Sequence, residues 1–194
     1  MRGYQMSRKE IKNIVDSCII RRIRFKTIEL TGGEVTMWEN LEYGVHMFER
    51  IADEVTFVTN GNHPERVIAL NLPKWIVSAS QASKSQLEKY EPYKDRITFN
   101  SHKHKKLPTE PVLDSLPALC CLRTDPYGVP QEVFWYALGE VWYCCDAFAH
   151  SEYCTDKDIV CKFEEDFISK FSNKTYDKCI CQYCLCNRKV WDKI

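Results

Sequence analysis

The sequence predicts an α+β protein with a mostly antiparallel sheet, flanking helices and a cysteine-rich C-terminal segment that zinc stabilises. Three observations lead to this prediction. Helix-like and strand-like segments follow one another within residues 1–106 in the order α-β-β-α-β-β. A glycine pair in Thr31–Glu34 follows the first strand and is typical of a hairpin turn. Four of the 11 cysteines fall within Cys179–Cys186.

The first helix is indicated by its N-terminal cap and by the spacing of its apolar residues. Ser7 and Glu10 form the capping-box pattern, in which each side chain accepts a hydrogen bond from the other's backbone N–H. Apolar residues then recur at helical spacing, so one face of the helix is expected to be buried. These residues are Ile11, Ile14, Val15, Cys18 and Ile19.

The segment after this helix changes to strand periodicity. Ile23 and Phe25 alternate with cations, as in a strand with one buried face. The glycine pair then predicts a hairpin, with Val35 and Met37 on the returning strand.

The remaining elements of the first half follow from shorter patterns. Asn40 is a residue type that caps helices, so a second helix is expected to begin there. Strands are predicted at Val55–Thr59, Arg66–Leu70, Pro73–Val77 and Arg96–Phe99, and an exposed helix at Ser80–Tyr90.

Prolines divide the chain. Pro108, Pro111 and Pro117 cannot continue a helix or donate to a sheet, so residues 107–117 are predicted to connect a domain of residues 1–106 to a region of residues 118–194. In that region Val133–Tyr136 and Val141–Tyr143 fit either two strands or one buried helix. A further helix is predicted from Ile159 onward.

Composition indicates a globular protein inside the cell. Hydrophobic residues make up 44% of the chain and charged residues 28%, which disfavours disorder. No apolar run reaches the ~20 residues that span a bilayer. The N-terminus lacks the apolar core of a secretory signal, so a cytoplasmic location with reduced cysteines is expected, with the nucleus as the alternative.

The cysteines predict a zinc site. Cys181 and Cys184 form a CxxC pair, and His150 and Cys154 are four residues apart, so each pair can approach one tetrahedral ion. Cys145, Cys161, Cys179 and Cys186 are substitute ligands. Buried reduced thiols and a redox dithiol are the alternatives.

The run Cys179–Leu185 resembles the CxCxxC motif of polyomavirus small t antigens, which implies zinc ligation by these cysteines. The J-domain HPDK motif and a second CxCxxC are absent from the sequence. We therefore interpret the resemblance as convergence on a spacing that suits zinc.

A formal net charge of zero conceals an asymmetry. Residues 1–106 carry 18 Lys and Arg against 13 Asp and Glu, while residues 107–194 carry 9 against 14. The basic half predicts contacts to phosphate or, alternatively, attraction between the two halves. A solvated outer face is the alternative for the cations of Arg21–Lys26, and a solvated linker or metal capture is the alternative for His102–Lys106. The candidate nucleic-acid-binding residues are Arg21, Arg22, Arg24, Lys26, Lys103, Lys105, Lys106, Arg188 and Lys189.

No nucleotide-binding, zinc-protease or deaminase motif occurs, and no local signature marks a nucleophile. The sequence therefore predicts a non-enzymatic, zinc-stabilised protein that docks on a ribonucleoprotein such as the ribosome, or on RNA, through its basic hairpin and basic linker. The alternatives are a regulatory or viral adaptor that binds a protein partner through the aromatic C-terminal region, and a cysteine-based enzyme. No membrane partner is expected.

Overall fold

The computed structural model describes residues 5–78, 82–100, 135–137, 139–142 and 159–163. The chain divides into two compact units, Met1–His104 and Lys105–Ile194. Within the described residues no helix is long and apolar enough to cross a membrane.

The first unit alternates strands and helices. Its helices are α1 (Arg8–Ile20), α2 (Leu41–Phe48), α3 (Pro64–Ala69) and α4 (Lys84–Glu88), and short 3-10 turns cover Val35–Met37 and Glu91–Arg96. Its strands are β1 (Phe25–Leu30), β2 (Ala52–Thr59), β3 (Trp75–Ser78) and β4 (Ile97–Asn100).

The four strands form a parallel sheet in the order β1-β2-β3-β4. Leu30 lies opposite Phe57, and Thr59 lies opposite Val77. The predicted mostly antiparallel sheet is therefore wrong, and the unit is α/β. The predicted hairpin is wrong for the same reason, because Val35–Met37 is a 3-10 turn from which the chain continues into α2.

The sheet has two unlike faces. Right-handed crossovers that all proceed in one direction place the connecting helices on the same face. Val55, Phe57 and Val77 point to that face and are almost fully buried. On the other face Thr27 and Thr98 are exposed. The core therefore lies between the sheet and one layer of helices.

Helix α1 agrees with its sequence pattern. Ser7 and Glu10 form the predicted capping box. The predicted face is buried at Ile11, Val15 and Cys18, while Ile19 at its end is 42% exposed. Burial of this face, in part against α2, and not intrinsic propensity, supplies most of the stability of a helix this short.

The predicted helix after Asn40 is present, whereas the predicted strand at Arg66–Leu70 is not. Helix α2 begins after Asn40 as expected, but the Asn40 side chain makes no cap bond and instead accepts from Arg8 Nε at 3.1 Å. The predicted strand at Arg66–Leu70 is wrong, since these residues lie in or directly after α3. Pro64 at the first turn of α3 favours the helix, because its fixed φ suits that position.

The second unit contains a three-stranded antiparallel sheet of β5 (Trp135–Ala137), β6 (Glu140–Trp142) and β7 (Ile159–Lys162). The two apolar runs predicted as strands or one helix are thus strands where the structure describes them. The predicted helix beginning at Ile159 is wrong over β7. The Tyr136 and Phe163 rings meet edge to face, with centroids 5.5 Å apart.

Candidate functional site

Two loops lie side by side at the carboxyl ends of β1 and β2. The first, which we call the glycine loop, is Thr31–Glu34, and the second, the asparagine loop, is Asn60–His63. They meet because β1 and β2 are parallel and in register as far as Leu30 and Phe57. Ligands of open α/β sheets bind outside the carboxyl ends of the strands, so this edge is the candidate site.

The Glu34 carboxylate joins the two loops. Its Oε1 accepts hydrogen bonds from the Thr36 N–H at 3.0 Å, the Thr36 hydroxyl at 2.6 Å and the Thr59 hydroxyl at 2.6 Å. Its Oε2 accepts from the Asn60 N–H at 2.7 Å. Among the described residues that is the one donor to Oε2, which leaves acceptor capacity on this oxygen.

The Glu34 carboxyl is held in its ionised form. Burial raises its pKa, but the hydrogen bonds from Thr36, Thr59 and Asn60 outweigh that effect and hold the pKa below its ordinary value. The site therefore presents a fixed negative charge at neutral pH. Such a charge favours a cationic group on a ligand.

The glycine loop leaves open space beside it. Gly32 and Gly33 are exposed, and a methyl group built on either would meet no heavy atom within 4 Å. Gly32 has a φ of +145°, which an L side chain rarely adopts. A ligand can therefore approach the backbone of this loop closely, without a side chain in between.

The asparagine loop is closely packed, in contrast. Gly61 has a φ of +80°, and a methyl group there would lie 2.9 Å from Cγ1 of Val77. Asn60 Oδ1 accepts from the Asn62 N–H at 2.9 Å, and Gln86 of α4 donates to the Asn62 carbonyl at 2.9 Å. These contacts fix the asparagine loop, and the glycine loop is bound to it through Glu34 and Asn60.

The structure scatters the cations that the sequence grouped into one row. Arg22 follows the C-cap of α1 and has a φ of 57°, and Lys26 lies in β1. Arg24 binds Asp53 at 2.7 Å and the Ala52 carbonyl at 2.8 Å. Because β1 begins only at Phe25, the predicted alternation of Arg22 and Arg24 along a strand does not occur.

The other predicted site residues lie outside the residues whose side chains are described. Cys161 is placed in β7 opposite Val141, and its side chain is not described. Where the structure does describe side chains, no three His, Cys, Asp or Glu residues come together as a metal site. The zinc ligands therefore stay a prediction, namely Cys181, Cys184, His150 and Cys154, with Cys145, Cys161, Cys179 and Cys186 as substitutes. The phosphate contacts of the remaining cations also stay a prediction, namely those of Lys103, Lys105, Lys106, Arg188 and Lys189.

Sequence reasoning missed Gly32, Gly33, Glu34 and Asn60 as site residues. The signal was present, because a polar, glycine-containing segment follows each of two apolar strands. Had the strands been interpreted as parallel, both segments would have been placed at one sheet edge. The hairpin interpretation moved the glycine loop to a turn instead.

No family model matches the chain, and no curated protein matches it. Its fold resembles that of solved structures of BtrN. One, in an open conformation, has a TM-score of 0.50 and 17% sequence identity, covering 93% of this chain and 80% of that one. Another, BtrN in complex with AdoMet and 2-DOIA, has a TM-score of 0.52 and 17% identity over 98% of this chain and 78% of that one.

At 17% identity the resemblance extends to the fold alone. The predicted function, a non-enzymatic, RNA-binding and ribosome-associated protein, is nevertheless corrected, because the structures that share this fold are those of BtrN, one of them in complex with AdoMet. The physical reason for the error lies in the sheet. An antiparallel sheet with a basic hairpin suggested a docking surface, whereas the parallel sheet gathers polar loops at its carboxyl edge, where ligands of open α/β sheets bind.

Proposed function

We propose that this protein is an enzyme that binds AdoMet at the carboxyl edge of its parallel sheet. The observation that carries the proposal is the coincidence of two features. The fold resembles that of BtrN, one structure of which contains AdoMet. The edge where such folds bind ligands carries an ionised Glu34 beside two uncrowded glycines.

The residues present fit the chemistry of AdoMet. The amino-acid part of AdoMet carries an ammonium group, and a carboxylate with acceptor capacity is its natural partner. The bare backbone of Gly32 and Gly33 leaves room for the ligand to lie against the loop. When bound, AdoMet supplies a sulfonium-activated carbon, which makes group transfer accessible.

Each part of the chain has a separate role in this proposal. Glu34 binds and orients the ammonium group, and its anchoring to Thr59 and Asn60 means that little reorganisation is needed on binding. The glycine loop sets how closely the ligand approaches. A cytoplasmic location, as the sequence predicts, is part of the proposal.

Calorimetric titration with AdoMet tests the proposal. We expect the Glu34→Gln variant to lose roughly 10- to 100-fold in affinity, because a charge-assisted hydrogen bond is removed. The matched control is Glu65→Gln, which neutralises an exposed carboxylate of α3 and should bind AdoMet as the wild type does. Circular dichroism verifies that Glu34→Gln remains folded.

A second variant separates ligand contact from folding. Gly33→Ala adds a methyl group where the protein leaves open space, so its melting temperature should be unchanged. Its affinity for AdoMet should fall, because the methyl occupies the space assigned to the ligand. Wild-type protein that does not bind AdoMet would refute the proposal, and so would unaltered affinity in both Glu34→Gln and Gly33→Ala.

A further inference from the structure

Arg66 lies on α3, the helix that follows the asparagine loop, and it binds the segment that follows the glycine loop. Its Nε and Nη2 atoms donate to the two carboxylate oxygens of Glu42 at 2.8 and 2.9 Å. Nη2 also donates to the Trp38 carbonyl at 2.8 Å, and Nη1 donates to the Thr36 carbonyl. The guanidinium thus binds one side chain and two backbone carbonyls of the segment that follows the glycine loop.

Thr36 is shared by Arg66 and Glu34. Its carbonyl accepts from Arg66, while its N–H and its hydroxyl donate to Glu34 Oε1. One residue therefore separates the guanidinium from the carboxylate. If Thr36 shifts, both of its donors to Glu34 shift with it.

The contacts form a closed circuit. Glu34 binds the Asn60 N–H in the asparagine loop, and that loop leads directly into α3, which carries Arg66. Arg66 binds the Thr36 carbonyl, and Thr36 binds Glu34. Glu34 is therefore bound to the asparagine loop, and Thr36 to the helix that follows that loop, which constrains both the position and the orientation of the carboxylate.

We infer that Arg66 is a positioning residue for Glu34: by holding the Thr36 and Trp38 carbonyls, it fixes the donors on which the Glu34 carboxylate rests. This inference rests on the proposed function, since it concerns the same AdoMet site. Arg66 acts through Thr36 and is not itself assigned a contact with the ligand.

The pair of Arg66 with Glu42 does not account for the arrangement. The two side chains are 30% and 55% exposed, and ion pairs at such positions contribute little to stability, because solvent screens them. The contacts that distinguish Arg66 are its two bonds to backbone carbonyls. A lysine could keep the charge but not the fork of donors that reaches both carbonyls together with Glu42.

The test compares Arg66→Lys and Arg66→Gln with Lys89→Gln. The last variant breaks the exposed ion pair between Lys89 and Glu65 of α3, outside the circuit. Each variant is titrated with AdoMet and with 5′-methylthioadenosine, which has the adenosine part but lacks the amino-acid part. A positioning role affects the first ligand selectively, whereas general loss of structure affects both.

We expect both Arg66 variants to bind AdoMet roughly tenfold more weakly, as when a charge-assisted hydrogen bond is misaligned. Their affinity for 5′-methylthioadenosine should be unchanged, and Lys89→Gln should bind both ligands as the wild type does. Unchanged AdoMet affinity in the Arg66 variants, or an equal loss for both ligands, would overturn the inference and leave the proposed function standing.

A second measurement does not depend on ligand binding. NMR titration of the Glu34 carboxyl should find its pKa higher in Arg66→Lys than in the wild type, because the Thr36 donors are less well aligned. If the wild type does not bind AdoMet, the proposed function fails, and this titration still decides the inference. An unchanged Glu34 pKa would show that Arg66 does not position the carboxylate.

Discussion

Cys18 lies in the core as a thiol that ionises with difficulty. Its side chain is fully buried, and burial raises its pKa to about 11, although the nearby Arg21 acts in the opposite direction. Since the thiolate is the reactive form, a buried thiol of this kind is chemically inert. The sequence interpretation of Cys18 as a small core residue is thus confirmed.

A prediction at this scale concerns alkylation. Native protein treated with iodoacetamide near neutral pH should leave Cys18 unmodified, while denatured protein should be modified there at the rate of an ordinary thiol. Peptide mass spectrometry resolves Cys18 from the other cysteines. Rapid labelling of Cys18 in the folded protein would contradict the burial described above.

At the scale of elements, the two loops of the site differ in how they tolerate a methyl group. Gly61→Ala places Cβ 2.9 Å from Val77 and 3.2 Å from Ala82, in a backbone conformation that alanine disfavours. We expect it to lower the free energy of unfolding by about 1–3 kcal/mol from overpacking, with strain from the positive φ in addition. Gly33→Ala is the matched control and should leave stability nearly unchanged. Denaturant unfolding of both variants measures the difference, and equal stabilities would contradict the packing of the asparagine loop.

Several elements were predictable because their signals are local. The capping box of Ser7 and Glu10 and the apolar run of Val55–Thr59 each determine one element, and the structure has both. Strand direction has no local signal. A glycine pair after β1 is compatible with a hairpin and with a loop that crosses over to a parallel strand. The site was missed because Glu34 and Asn60 are 26 residues apart and their loops meet through strand direction alone.

At the scale of the whole molecule, carboxyl groups set the response to acid. Hydrogen bonds hold the pKa of Glu34 below 4.5, and Arg66 does the same for Glu42. Such groups stabilise the fold fully above pH 4.5, and their contribution is lost as the pH falls through their folded-state pKa values. Desolvation raises the pKa of Glu29, which acts in the opposite direction.

Because Glu34 is half-buried and Glu42 is exposed, we expect Glu34 to contribute more than Glu42 to the loss of stability in acid. The melting temperature of the wild type should fall as the pH drops below 4.5, and Glu34→Gln should show a weaker dependence over the same range. Calorimetry from neutral to acid pH makes the measurement. A wild-type melting temperature that is constant or rises on acidification would contradict this assignment.

The order of the strands in the sheet is also the order in which a ribosome makes them. Each strand pairs with the one made just before it, and the register partners Phe25 and Ala52, Val58 and Ile76, and Trp75 and Ile97 are separated by 27, 18 and 22 residues. Parallel sheets usually fold slowly because distant segments must find one another. Among the four described strands of the first unit, no pairing has to wait for a distant strand, so β1 and β2 can pair, and Glu34 can reach Asn60, while the second unit is still being translated.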